Sequence, residues 1–127
     1  MRLLLIAEDD TDTRTTLAAL LSEIGYSVCH AADGRSALDE LKSLRPDLVL
    51  LDYGLPAPRD GAEFMRAKAL DPEIARIPVI VLSGYNLPAT IEGSLAVMRK
   101  PFELDLLLKM IKRIMGPPEK PNTHAAA

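Results

Sequence analysis

Short apolar runs of strand length alternate along the chain with longer stretches whose apolar residues recur at helical spacing. Leu3-Leu4-Leu5-Ile6-Ala7 is a continuous apolar run, as expected of a strand buried on both faces of a parallel sheet. Leu17, Leu20, Leu21 and Ile24 follow at helical spacing, with Gly25 placed to cap the C-terminus. Ser27-Val28-Cys29-His30-Ala31 reads as a second, weaker strand. Asp33 can cap a helix whose inner face is Ala37, Leu38, Leu41 and Leu44, ended by Pro46. Leu48-Val49-Leu50-Leu51 is a third apolar strand, ending at Asp52.

A loop with Pro56 and Pro58 leads to a helix carrying Phe64, Met65 and Leu70. Pro78 introduces a fourth strand, Val79-Ile80-Val81-Leu82, which ends at Ser83. Leu95-Ala96-Val97-Met98 is a fifth and runs into Lys100-Pro101. The last helix sets Leu104, Leu107, Leu108, Ile111 and Ile114 on one face, and Gly116-Pro117-Pro118 stops it. Strands alternating with helices require right-handed crossovers. The fold class expected is therefore α/β, a doubly wound five-stranded parallel sheet with helices on both faces. Residues 117–127 lack apolar period and are expected to form a disordered tail or linker after a domain spanning 1–116.

Composition narrows the function classes. The chain has 127 residues, room for one domain, and 48% of them are hydrophobic against 26% charged, the balance of a globular protein. A domain of this length buries about two-thirds of its unfolded surface and needs no metal or disulfide to fold. The single cysteine, Cys29, rules out an internal disulfide framework and fits a reducing, cytoplasmic setting. The apolar runs are far shorter than the roughly 18 residues of a membrane span. A net charge of −3 with no basic cluster gives no footprint for nucleic acid.

In an open parallel α/β sheet, function collects outside the carboxyl ends of the strands. Those ends carry Glu8, Asp9 and Asp10 after the first strand and Asp52 after the third. Ser83 follows the fourth, and Lys100 the fifth. Each has a bland reading: acids can complement a helix dipole, a lone Asp can form a turn, and Ser83-Gly84 can be only a turn. Taken together they are harder to dismiss, since carboxylates, a hydroxyl and an ammonium arrive at one edge from four strands. Hard oxygen ligands suit Mg²⁺, a carboxylate can attack phosphorus, and a lysine and a hydroxyl can share the charge of a phosphoryl group. Asp52 as acceptor, Glu8 and Asp9 on the metal, and Ser83 and Lys100 on the phosphoryl group form a chemically complete set.

At these residues the sequence resembles the receiver domain of two-component response regulators. Ala7-Glu8-Asp9-Asp10, Pro46-Asp47-Leu48-Val49-Leu50-Leu51-Asp52, Leu55-Pro56 and Asp60-Gly61 carry the likeness. Pro78-Val79-Ile80-Val81-Leu82-Ser83-Gly84 and Lys100-Pro101-Phe102 complete it, in order over about residues 1–115. The resemblance implies the flavodoxin-like strand order 2-1-3-4-5. It makes Asp52 the phosphoacceptor, Asp9 the direct metal ligand and Glu8 a ligand through water, with the Gly54 carbonyl as a third ligand. It also implies a cis Lys100-Pro101 bond. The cofactor is Mg²⁺, and the phosphoryl donor is a sensor histidine kinase or a histidine phosphotransfer protein. A downstream protein partner is implied, with a homodimer as one arrangement. Direct contact with nucleic acid or membrane is not expected. Such a domain is a signalling switch rather than an enzyme, with at most slow Mg²⁺-dependent self-phosphorylation and autodephosphorylation.

Three departures from the family pattern fall near its usual signalling face. The Asp52–Gly61 stretch is slightly longer than the common spacing, with Pro58-Arg59 inside it. The Ser83–Lys100 stretch is shorter, so Asn86–Gly93 leaves room for only a turn or two where the family has its fourth helix. Val97 stands where an aromatic switch residue is common. Two other readings stay open. An aspartate-dependent phosphohydrolase would also use a strand-end Asp with Mg²⁺, although it wants a second acid where Gly54 stands. A degenerate receiver would serve only for docking. His30, Cys29, Tyr85 and His124 carry no partner residues that point to chemistry, and Met110 and Met115 could extend the last helix's apolar stripe to a partner.

Overall fold

The computed structural model describes residues 2–55, 58–84 and 90–118, with Pro58 and Arg59 described by backbone alone. Its elements are β1 (Leu3–Ala7), α1 (Thr11–Ile24), β2 (Ser27–Ala31), α2 (Gly34–Leu44), β3 (Leu48–Asp52), α3 (Pro58–Leu70), β4 (Val79–Ser83), β5 (Ala96–Arg99) and α4 (Leu104–Met115). The strands form one parallel sheet in the order β2-β1-β3-β4-β5. The fold class and strand order are those expected from the sequence.

Alternation of side chains along each strand divides the core in two. Leu4, Ile6, Leu48, Leu50, Ile80 and Leu82 face one side of the sheet, where Leu17 and Leu21 of α1 and Leu107 and Ile111 of α4 pack on them. Leu5, Val49, Leu51, Val79 and Val81 face the other side, against Ala37 and Leu41 of α2 and Phe64 and Met65 of α3. Every residue of β3 and β4 is buried, which is why both read as unbroken apolar runs. Each fully buried leucine contributes about 1.5–3 kcal/mol, so the two layers hold the sheet firmly beneath the strand ends.

Local signals set the helix ends. Asp10 caps α1 by accepting from Thr13 N at 2.9 Å, and Asp33 caps α2 by accepting from Ser36 N at 2.7 Å. Gly25, at φ 121°, ends α1 and donates to the Leu21 and Ser22 carbonyls. At the end of α4, Arg2 Nε donates to the Met115 carbonyl at 2.7 Å and the Tyr26 hydroxyl donates to the Gly116 carbonyl at 3.0 Å.

Several expectations shift. Leu44 and Leu104, expected on the apolar faces of their helices, are exposed, as is Leu70, because each sits at a helix end beyond the reach of the sheet. The fifth strand begins at Ala96 rather than Leu95, which is exposed. Pro58-Arg59 is the first turn of α3 rather than loop, as suits a proline whose fixed φ already matches a helix start. Met115 is core, and Met110 packs against it rather than forming a separate surface. Residues 90–95 form turns rather than a helix, while Tyr85, the Asn86–Ala89 part of the expected short segment and the tail from Glu119, with His124, lie outside the described residues. Among the described residues no helix is long and apolar enough to cross a membrane.

Candidate functional site

Strand register brings the chemistry together. Ala7 pairs with Leu51, so the next residues, Glu8 and Asp52, emerge side by side from adjacent central strands. Asp52 in turn pairs with Leu82, which sets Ser83 one residue beyond it on β4. Lys100 follows β5 and its amide donates to the Ser83 carbonyl at 2.8 Å. Lys100-Pro101 is a cis peptide, as the resemblance implied. Glu8, Asp52 and Ser83 are buried, whereas Asp9 is exposed.

One carboxylate oxygen from each of Glu8, Asp9 and Asp52 lies within 4.8 Å of the others. Three hard oxygens converging from two strand ends form a donor set that suits a small divalent cation retaining several waters. The residues therefore fit Mg²⁺. The group already among them is an ammonium: Lys100 Nζ donates to Glu8 Oε1 at 2.6 Å and lies 3.6 Å from Asp52 Oδ2. The Asp52 Oδ1 atom accepts from Gly54 N at 3.2 Å, and Glu8 Oε2 accepts from Asp10 N at 3.2 Å.

The charges in this confined space shape one another. Burial pushes the Glu8 carboxyl above its ordinary value, and the neighbouring Asp52 pushes the same way, while Lys100 and the Asp10 amide pull it down less strongly. Burial alone would lower the Lys100 ammonium, but its bond to Glu8 and the charge of Asp52 together hold it above its usual value. Lys100 is thus a fixed positive charge among carboxylates.

The structure brings Glu8, Asp9, Asp52 and Lys100 together, with Ser83 on the neighbouring strand, whereas the Asp10 side chain turns away to cap α1 and accepts from Thr13 N and Oγ1. The D-x-x-T spacing signalled that role. Three features have structural roles that the sequence did not spell out, although Leu55 and Gly61 stand within the segments that carry the family likeness. Arg14 Nη1 donates to the Glu8 carbonyl at 2.8 Å and fixes the backbone of the acidic pair. Leu55 adopts φ 45°, a left-handed conformation uncommon for leucine, and is buried. Gly61 lies so near Tyr53 that a Cβ would stand 2.1 Å from the Tyr53 carbonyl oxygen. Away from the site, His30 is exposed on the edge strand and Cys29 packs partly buried beside α2, with burial pushing its thiol up to about 11.

The sequence model of the response regulator receiver domain matches residues 4–112. Protein Rrf1 of Nitratidesulfovibrio vulgaris is 29% identical over 129 residues, covering 97% of this chain and 93% of that protein. Sporulation initiation phosphotransferase F of Bacillus subtilis is 34% identical over 118 residues, covering 88% of this chain and 92% of that protein. Among solved structures, the chemotaxis response regulator CheY4 of Vibrio cholerae superposes with a TM-score of 0.77 at 28% identity, covering 90% of this chain and 98% of that one.

Proposed function

The chain belongs to the response regulator receiver family, and from that premise we propose that Asp52 accepts a phosphoryl group from a phosphohistidine of a sensor kinase or phosphotransfer protein. The observation that carries the reading is the placement of Asp52 on the central strand, buried between the acidic pair and Lys100. A carboxylate oxygen of Asp52 attacks phosphorus, the P–N bond of the donor breaks, and its imidazole leaves neutral after taking a proton from solvent. Lys100, 3.6 Å from Asp52 Oδ2, is placed to pair with the incoming phosphoryl oxygens, and the Ser83 hydroxyl with another of them.

Glu8, Asp9, Asp52 and the Gly54 carbonyl would hold Mg²⁺, with Asp9 as direct ligand and Glu8 through water. When bound, the cation neutralises charge on the phosphoryl oxygens. The chain's own residues do the rest: Arg14 anchors the Glu8 backbone, the Gly54 amide orients Asp52, and burial keeps bulk water from its carboxylate. Receiver domains are signalling phosphoacceptors rather than enzymes in the ordinary sense. For this one we propose slow Mg²⁺-dependent self-phosphorylation from small phosphodonors and slow loss of the phosphoryl group to water.

The receiver unit would span 1–116, with the remaining residues a tail or linker, acting as a cytoplasmic relay or as part of a larger sensor kinase. Incubation with acetyl phosphate and Mg²⁺, followed by intact mass and peptide mapping, tests the reading. One added phosphoryl mass on the Asp52 peptide is expected, and no added mass would overturn it.

A further inference from the structure

We propose that the groove between α2 and α3 is a docking site for a basic amphipathic helix of a partner protein, and that the state of Asp52 sets its affinity. The groove has a volume of about 530 Å³. Its accessible apolar lining is Leu38 from α2 and Ala67 from α3, both half-buried, over a floor formed by the buried Phe64 of α3 and Leu55 of the β3–α3 loop. Among the described side chains, carboxylates at Asp39, Asp60 and Glu63 stand around it with one cation, Arg35. Asp33, at one end, is engaged in capping α2. At the same end Gly34 lets α2 approach α3 closely, since a Cβ there would lie 3.3 Å from the Asp60 carbonyl oxygen.

An apolar trough between two helices with an acidic surround is complementary to a third helix carrying an apolar stripe flanked by lysine or arginine. Acidic residues alone would not select such a partner. The apolar lining supplies the anchor positions, and the charge excess selects the sign of the flanks.

The lining is also wired to the phosphoacceptor. Asp52 Oδ1 accepts from Gly54 N at 3.2 Å, and the next residue, Leu55, turns through φ 45° to bury its side chain in the trough. Converting the Asp52 carboxylate to an acyl phosphate makes its oxygens a neutral carbonyl and a bridging oxygen, weaker acceptors for the Gly54 amide, and moves the negative charge out onto the phosphoryl oxygens. The strained turn at Leu55 is then free to relax, and the floor of the groove changes shape. A helix seated over that floor packs differently in the two states and is thereby sensitive to phosphorylation. This coupling rests on Asp52 being the acceptor, while the groove itself does not.

The test uses the full chain and a fluorescein-labelled designed peptide of about 18 residues, long enough to be helical, with leucines at i, i+3, i+4 and i+7 and lysines beside them. Amide shifts on adding the peptide should concentrate in residues 33–39, 55 and 60–67. The exposed double substitution Asp39→Lys with Glu63→Lys should weaken anisotropy-measured binding about tenfold, while Asp105→Lys on α4 leaves it unchanged. Scattered shifts, or equal weakening by Asp105→Lys, would overturn the docking site. Beryllofluoride with Mg²⁺ should change the affinity about fivefold. An unchanged affinity in protein that gains the phosphoryl mass on Asp52 would overturn the coupling. Absence of that mass would instead overturn the phosphoacceptor reading, and the shift map and charge reversals would still decide the groove.

Discussion

Lys100 lies 2.6 Å from Glu8 and 3.6 Å from Asp52, so the ammonium is bonded to the first carboxylate while remaining within Coulombic reach of the second. That asymmetry suits a switch. In the unmodified state Glu8 and Lys100 satisfy each other, and a phosphoryl group on Asp52 would offer the ammonium a stronger set of acceptors close by. The predictions below follow from this arrangement and from the loop that leaves Asp52.

Asp52→Asn should abolish phosphoryl incorporation from acetyl phosphate, since an amide oxygen is a poor nucleophile and the neighbouring carboxylates, Glu8 and Asp9, are those proposed to hold the metal. Intact mass spectrometry checks this. Incorporation at the wild-type rate would place the acceptor elsewhere.

Asp9→Ala should weaken Mg²⁺ binding about tenfold or more and leave the metal-free fold as stable as wild type or more so. Without metal, the single Lys100 ammonium offsets only part of the repulsion among three carboxylates with oxygens within 4.8 Å of one another, and removing the exposed one relieves the rest. A Mg²⁺ titration with paired melting curves in chelator would show both effects. An unaltered titration would remove Asp9 from the metal site.

Glu8→Gln should change how stability depends on pH. Burial raises the Glu8 carboxyl above 4.5 in the folded chain, so folding takes up a proton there. The stability this proton provides is fully present below the unfolded value and is lost as pH rises through the folded one. The wild type should therefore lose stability, relative to Glu8→Gln, as pH rises from about 4.5 through Glu8's raised value. Melting curves of both proteins in chelator from pH 4 to 8 would reveal it, and a constant difference between them would count against it.

Gly61→Ala should destabilise the fold by about 1–3 kcal/mol and slow phosphorylation. The new Cβ would meet the Tyr53 carbonyl oxygen at 2.1 Å and the Tyr53 Cα at 2.8 Å, so the first turn of α3 or the residue after Asp52 must move. Denaturant unfolding together with the rate of acetyl phosphate incorporation separates loss of stability from loss of alignment. A neutral substitution would mean that the close approach is relieved elsewhere at little cost.

Beryllofluoride with Mg²⁺ should change amide exchange most in residues 53–61 and 84–93, with little change around position 97. Val97 is partly buried against the core on the α2–α3 side of the sheet, is stiff at χ1 and carries no hydroxyl, so it cannot swing between two environments as an aromatic ring can. A dominant change at Val97 and α4 with quiet loops would refute this.

The sequence by itself determined the parallel α/β sheet and the candidate residues at its edge, while the strand order 2-1-3-4-5 came with the family resemblance. Short unbroken apolar runs such as Leu48–Leu51, alternating with helical stretches, suit strands covered on both faces, and a parallel sheet delivers whatever follows each run to one edge. Glu8, Asp9, Asp52, Ser83 and Lys100 were legible for that reason. Only the tertiary structure decided which neighbours those groups would have. That Lys100 bonds to Glu8 more closely than to Asp52, that Arg14 fixes the Glu8 carbonyl, and that Asp10 caps a helix instead of joining the acids all depend on distances set by packing across the sheet. Lys68 makes the same point: it sits on the inner side of α3 and donates to the Ala75 carbonyl at 2.8 Å, a partner seven residues away whose position is fixed by the turn after the helix. Leu55 and Gly61 belong to this second class as well. Periodicity reports which face a residue occupies, while a left-handed turn or a contact between Gly61 and the Tyr53 backbone arises only when the β3–α3 connection is folded down against α2.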